Sequence, residues 1–130
     1  AWLTEWELVL DERFDGPGLD RSLWEVEQNC WGGGNEEKQC YRDDPSNVYV
    51  SGGKLVLQVE RGDYTGSLSD CTMQFEEGWE TCTATKPFTS GRVRTLKSSV
   101  GSWRYGRVEV RARLPHGDFL WPAIWMQPTD

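Results

Sequence analysis

Tyr105-Gly106-Arg107-Val108-Glu109-Val110-Arg111-Ala112-Arg113-Leu114 is the stretch whose reading decides the fold class. Side chains two apart on a strand share a face. Val108, Val110, Ala112 and Leu114 therefore fall together, and Arg107, Glu109, Arg111 and Arg113 fall opposite them. This alternation predicts a strand over 105–114 with one buried and one wet face, the pattern of an antiparallel sheet. Glu109, set among arginines, is expected to be ion-paired.

Working outward, Trp121-Pro122-Ala123-Ile124-Trp125-Met126 reads as a final strand. Pro122, Ile124 and Met126 suit a core. Trp121 and Trp125 share the other face as two flat rings about 13 Å apart, from a rise of about 3.3 Å per residue. Such platforms suit either an extended chain of sugar rings or a second sheet. Upstream, 92–98 is a predicted strand with Arg92 and Arg94 on one face, ready for hydroxyls or for ion pairs. Residues 61–85 are polar and show no clear period, so they read as a long surface loop. Before it come predicted strands at Trp6–Leu10, Leu23–Glu27, 47–50 and 54–60, with a turn at Ser51-Gly52-Gly53. Trp31-Gly32-Gly33-Gly34-Asn35 is too glycine-rich for regular structure. Many short strands and almost no helix predict an all-β sandwich or barrel.

The 130 residues amount to one domain or part of one, with a net charge of -7. That charge excludes nucleic-acid and anionic-membrane partners, which demand positive surfaces. No apolar run is long enough to span a bilayer. The Ala1-Trp2-Leu3-Thr4 start suits a processed, secreted terminus. Cys30, Cys40, Cys71 and Cys82 form an even set, expected to pair as disulfides in an oxidising compartment. Of three connectivities, Cys30–Cys40 with Cys71–Cys82 is favoured because each closes a short local loop. Zinc is disfavoured, since no tight Cys-x-x-Cys or Cys/His pair occurs.

Paired carboxylates able to cleave a glycosidic bond are not evident in this stretch. Glu76, Glu77 and Glu80 lie in the predicted polar loop, and His116 adjoins Gly117 in a turn. Asn35, Glu36, Glu37 and Gln39 sit on the glycine-rich loop, where amides and carboxylates can bind hydroxyl groups or simply cap a stapled turn.

At these residues the chain resembles the laminarinase-like, family-sixteen glycoside hydrolases and the invertebrate β-1,3-glucan recognition proteins. The resemblance is carried by Asn29-Cys30-Trp31-Gly32-Gly33-Gly34-Asn35-Glu36-Glu37-Lys38-Gln39-Cys40-Tyr41, by Thr89-Ser90-Gly91-Arg92, by 105–115 and by Trp121–Met126. Leu10-Asp11-Glu12-Arg13-Phe14-Asp15 and Leu23-Trp24 also fit. It implies a concanavalin-like jelly-roll β-sandwich with a glucan cleft, of which residues 1–130 are the N-terminal portion, completed by another chain. It implies that Asn35, Glu36, Arg92, Trp121 and Trp125 bind substrate, although Glu36 stands where relatives often carry a second Asn.

The family's Glu-Ile-Asp-x-x-Glu, with nucleophile and acid/base, follows the strand that Trp121–Met126 matches. No catalytic residue is therefore expected within 1–130. The resemblance implies a retaining endo-β-1,3-glucanase if a second polypeptide supplies those carboxylates. The alternatives are an inactive β-glucan-binding protein, or a structural or ligand-carrying one. No cofactor is required; a structural calcium near Asp11, Glu12 and Gly53 is the one metal the resemblance suggests.

Overall fold

The computed structural model describes residues 6–32, 35–75 and 78–128, with the side chains of 69–81 outside the description. Its elements in chain order are β1 (Trp24–Val26), β2 (Gln39–Tyr41), β3 (Val48–Val50), β4 (Leu55–Leu57), β5 (Glu60–Phe75), β6 (Gly78–Ser90), β7 (Val93–Thr95) and one helical turn, α1 (Lys97–Val100). The fold class is all-β, as the short-strand pattern predicts. Among the described residues no helix is long and apolar enough to cross a membrane. The chain divides into two units, one ending at Val100 and one beginning at Gly101.

Among the described residues, the first unit contains every strand. β1 pairs antiparallel with β7, placing Glu25 opposite Arg94. β3 and β4 form a hairpin in which Ser51 donates to the Lys54 carbonyl at 2.9 Å. Its central residues, Gly52 and Gly53, have φ of 57° and 67°. Two successive positive φ values match the right-handed twist of the flanking strands, and glycine adopts them without a Cβ clash. The expected turn is thus found where the sequence places it.

β5 and β6 overturn the expectation of a surface loop over 61–85. They form a long antiparallel hairpin, with Glu60 opposite Thr89 at one end and Phe75 opposite Gly78 at the other. Period-2 patterning signals a strand only when one face is buried. Arg61, Asp63, Thr65, Thr83 and Thr85 are exposed, while Tyr64, Gly66, Ala84, Lys86 and Phe88 are half-buried; this inward set mixes glycine, alanine and lysine with the two aromatics, so the hydropathy of the sequence shows no clean alternation. Its register slips twice, between Arg61 and Tyr64 and between Ser67 and Thr72. Extra residues on one strand of a pair bend it and raise its twist. β2 joins the other side of β6 in parallel, Cys40 opposite Thr89.

The core of this unit is small. Val26, Cys30, Cys40, Val48 and Cys82 are buried, together with Asn29, Asn47 and Thr89. Asn47 is fully buried and ties sheets together: its amide donates to the Gln58 carbonyl and to Thr89 Oγ1, both at 3.0 Å. Gly91 permits this closeness. A Cβ there would stand 2.6 Å from the Asn47 carbonyl oxygen and 2.6 Å from Val48 Cγ2. The Cys30–Cys40 disulfide is formed. Cys82 is also disulfide-bonded, while the side chain of Cys71, its expected partner, lies outside the described residues.

Two further strand expectations are corrected. Trp6–Leu10 has no strand pairing, with Trp6 and Leu8 72% and 76% exposed. The 92–98 strand is only Val93–Thr95, because the chain turns into α1 at Lys97.

The second unit brings the largest correction. Neither Tyr105–Leu114 nor Trp121–Met126 is a strand. Alternation supplies two faces, but a strand also needs a neighbour for its N–H and C=O groups. Among the described residues no segment pairs with either. Val108, Val110, Leu114, Ile124 and Met126 are exposed accordingly. The expected ion pair of Glu109 is present, with Arg107.

Candidate functional site

The Cys30–Cys40 bridge gathers both ends of the glycine-rich loop. Cys30 and Cys40 are fully buried, and Cys30 donates to the Ser67 carbonyl at 2.7 Å. Asn29 and Tyr41 exchange backbone bonds at 3.1 and 2.7 Å, which closes the neck of the loop. On β2, Gln39 and Tyr41 share the face opposite to Cys40. Both are half-buried.

Glu37 is the hub of that face. Its carboxylate accepts from Gln39 Nε2 at 2.6 Å, from the Tyr41 hydroxyl at 2.9 Å and from Asn35 Nδ2 at a long 3.4 Å. Gln39 Nε2 also donates to the Tyr41 oxygen at 3.0 Å. Lys86 reaches across from β6 and donates to the Glu37 carbonyl. Burial, and then the bond to Glu37, push the Tyr41 hydroxyl above its ordinary pKa, because its anion would be desolvated beside a carboxylate.

Arg92 continues the chain of contacts. Its guanidinium lies over the Tyr41 ring, 5.6 Å from the centroid, and pairs with Glu27 at 2.9 Å. Glu27 in turn accepts from Asn29 Nδ2 at 2.7 Å. The Arg92–Glu27 side chains are 26% and 20% exposed, against 66% and 46% for Arg94–Glu25. Water screens the first pair less. Arg92 and Arg94 thus use the ion-pairing option left open by the sequence, and Arg92 adds a ring contact.

The structure therefore joins Asn35 and Arg92, 57 positions apart by numbering (92 less 35), through Glu37 and Tyr41. Glu36 stands apart from this network, with φ of 57°, and lines a shallow hollow with Trp31, Lys38, Thr85, Lys86 and Pro87. Trp121 and Trp125 belong to the second unit, 73% and 53% exposed.

Glu37, Tyr41 and Glu27 are the residues that sequence reasoning underrated. The i, i+2, i+4 spacing of Glu37, Gln39 and Tyr41 was a readable signal once β2 is a strand. Glu27 had none, since only the β1–β7 register brings it to Arg92.

Asp11 and Glu12, the calcium candidates of the resemblance, both make local contacts. Asp11 is held by Arg13 at 2.6 Å, which lowers its pKa below the usual carboxylate value. Glu12 spends one oxygen on the Phe14 N–H at 2.8 Å and the other on Trp24 Nε1 at 3.0 Å. As placed, these carboxylates accept from N–H donors. Among the described residues no group of three or more His, Cys, Asp or Glu could hold a metal.

What this network can do chemically is recognise hydroxyl groups. Two carboxylates, Glu27 and Glu37, are offset by Arg92 and Lys86, and amides stand between them. Such a surface has both donors and acceptors and little local charge, which suits an uncharged polyhydroxyl ligand.

No family model matches the chain, and no solved structure matches it. Curated proteins do. A glucan endo-1,3-beta-glucosidase of Cryptopygus antarcticus is 38% identical over 133 residues, covering 100% of this chain and 40% of the relative. A beta-glucanase of Rhodothermus marinus is 38% identical, covering 95% of this chain and 36% of that protein. A beta-1,3-glucan-binding protein of Penaeus monodon is 34% identical, with 95% and 38% covered. The chain thus spans about two fifths of the length of these three relatives. Along that span, the chain is similar both to glucan endo-1,3-β-glucosidases and to β-1,3-glucan-binding proteins, as the resemblance read from its own residues implies.

Proposed function

We propose that this chain supplies one wall of a β-1,3-glucan cleft in a secreted, laminarin-handling jelly-roll protein. The observation that carries the reading is the single network running from Asn35 through Glu37 and Tyr41 to Arg92. Asn35 and Arg92 are distant in sequence, yet they share partners, and those partners hold amide and guanidinium donors in fixed positions. Donors fixed before binding lose less freedom when a sugar arrives. Trp121 and Trp125 are exposed rings on which pyranose faces would stack. The Cys30–Cys40 disulfide supports an oxidising, extracellular setting.

In the hydrolytic form of this reading, the two carboxylates come from outside residues 1–130, on a second polypeptide that completes the sandwich after a cleavage. Their task would be double displacement through a glycosyl-enzyme intermediate, which asks for carboxyl groups about 5–5.5 Å apart. The exposed apolar positions of 105–126 offer the surface such a partner would cover. A glucan-binding protein without catalysis is the second reading, favoured by the glucan-binding relative, which aligns over the same 95% of the chain.

The test is laminarin affinity electrophoresis together with reducing-sugar release. Retardation by laminarin, lost in Arg92→Ala, supports the cleft. Sugar release then selects the hydrolase, and retardation without release selects the binder. No retardation at any laminarin concentration would remove both.

A further inference from the structure

We propose that Trp31 is a stacking platform for an additional ring of the same glucan, outside the Asn35–Arg92 network; this rests on the glucan reading above. Trp31 is 55% exposed, although the residue before it, Cys30, is fully buried and disulfide-bonded. Its backbone cannot retract. The Trp31 N–H donates to Asn29 Oδ1 at 3.1 Å, and Gly32, with φ of 76°, packs so closely that a Cβ there would lie 2.9 Å from Lys86 Nζ and 3.2 Å from the Glu37 backbone. An indole kept at the surface by a locked backbone loses little freedom on binding.

The hollow beside it has the composition of a sugar subsite. Trp31 and Pro87 give apolar surface, while Glu36, Lys38 and Lys86 give polar groups at the rim. Ligand sites combine mostly apolar lining with a few placed polar groups. A pyranose ring offers the complement, an apolar C–H face edged by hydroxyls. Glu36 holds a left-handed φ of 57° without being glycine, a strained state that persists where surroundings impose it. One residue links the hollow to the network. Lys86 lines it and donates to the Glu37 carbonyl, while the carboxylate of the same Glu37 organises Asn35 and Tyr41. To reach Trp31, a linear glucan bound at the network must extend along the Lys86 side.

Calorimetric titration of the protein carrying these residues with short and long linear β-1,3-gluco-oligosaccharides tests this. Affinity should rise with length in the unsubstituted protein. Trp31→Ala should weaken the long oligosaccharide about tenfold and the short one little, and Trp31→Phe should restore most of the loss. Length-dependent binding that Trp31→Ala leaves unchanged, or an equal loss at all lengths, overturns the platform while the cleft stands. No glucan binding by the unsubstituted protein overturns both.

Discussion

The two units of this chain invert each other. In the first, the glycine-rich loop and the polar ribbon after it have little strand patterning, yet their backbones are paired and stapled. In the second, 105–114 has clean alternation, yet no described strand pairs with it and its apolar face is exposed. The difference teaches that alternation reports which faces a segment would have, whereas pairing depends on whether a neighbour is present to take its hydrogen bonds. Cross-links and buried polar groups hold the first unit in place of a large core.

If that is right, the largest effect should come from the staple. Replacing Cys30 and Cys40 together by alanine removes a bridge across a sequence separation of 10. The expected loss is about 2–4 kcal/mol, read as a lower urea midpoint. An unchanged midpoint would mean that the network positions the loop unaided, and the comparison would fail on its first side.

Next in size is the polar anchor. Asn47→Ala strips the amide from between Gln58 and Thr89 and should cost about 1–3 kcal/mol, since Thr89 is buried and loses its partner. Gly91→Ala should fall in a similar range of about 1–3 kcal/mol, because the new methyl meets the Asn47 backbone oxygen, which cannot swing away, as well as Val48 Cγ2. Chemical denaturation measures both, and their non-additivity in the double variant would show that they act on one contact.

A smaller, pH-dependent effect belongs to Tyr41. Its folded pKa is raised above the ordinary 10.0 by burial and by Glu37. The folded state therefore holds the phenolic proton more tightly than the unfolded chain. This stabilisation is complete below pH 10.0 and is lost as pH rises through the folded value. Tyr41→Phe should flatten that part of the alkaline limb of the stability curve. An alkaline limb unchanged in Tyr41→Phe would separate Tyr41 from the Glu37 hub.

Much of this was legible in the residues, and the rest was hidden for physical reasons. The all-β class, the Ser51–Lys54 turn and the Cys30–Cys40 pairing were readable, because glycine, cysteine and short apolar alternation constrain the backbone locally; Asn35 and Arg92 were grouped only by the family resemblance. The β5–β6 hairpin was not, because its half-buried face mixes Gly66 and Lys86 with Tyr64, Ala84 and Phe88, which blurs the alternation. The Arg92–Glu27 pair was not, because it arises from strand register across the sheet. The 105–114 strand was over-read, since a pattern cannot report the absence of a partner among the described residues.

The smallest expected effect probes the second side of the comparison directly. Val110→Thr keeps the β-branched shape and adds a hydroxyl, which is costly where the side chain is desolvated and nearly free where water reaches it. Val110 is 57% exposed, so within this chain alone the change should stay within about 0.5 kcal/mol. The same substitution in Val26, which is 8% exposed on paired β1, should cost more than 1 kcal/mol, on the order of a buried hydroxyl without a partner. Measured side by side on residues 1–130, the two valines set paired against unpaired backbone at constant chemistry. Adding a polypeptide that covers 105–126 should raise the cost of Val110→Thr toward that of Val26→Thr. Equal costs without any addition would mean that Val110 is already buried in solution, and the contrast between the units would dissolve.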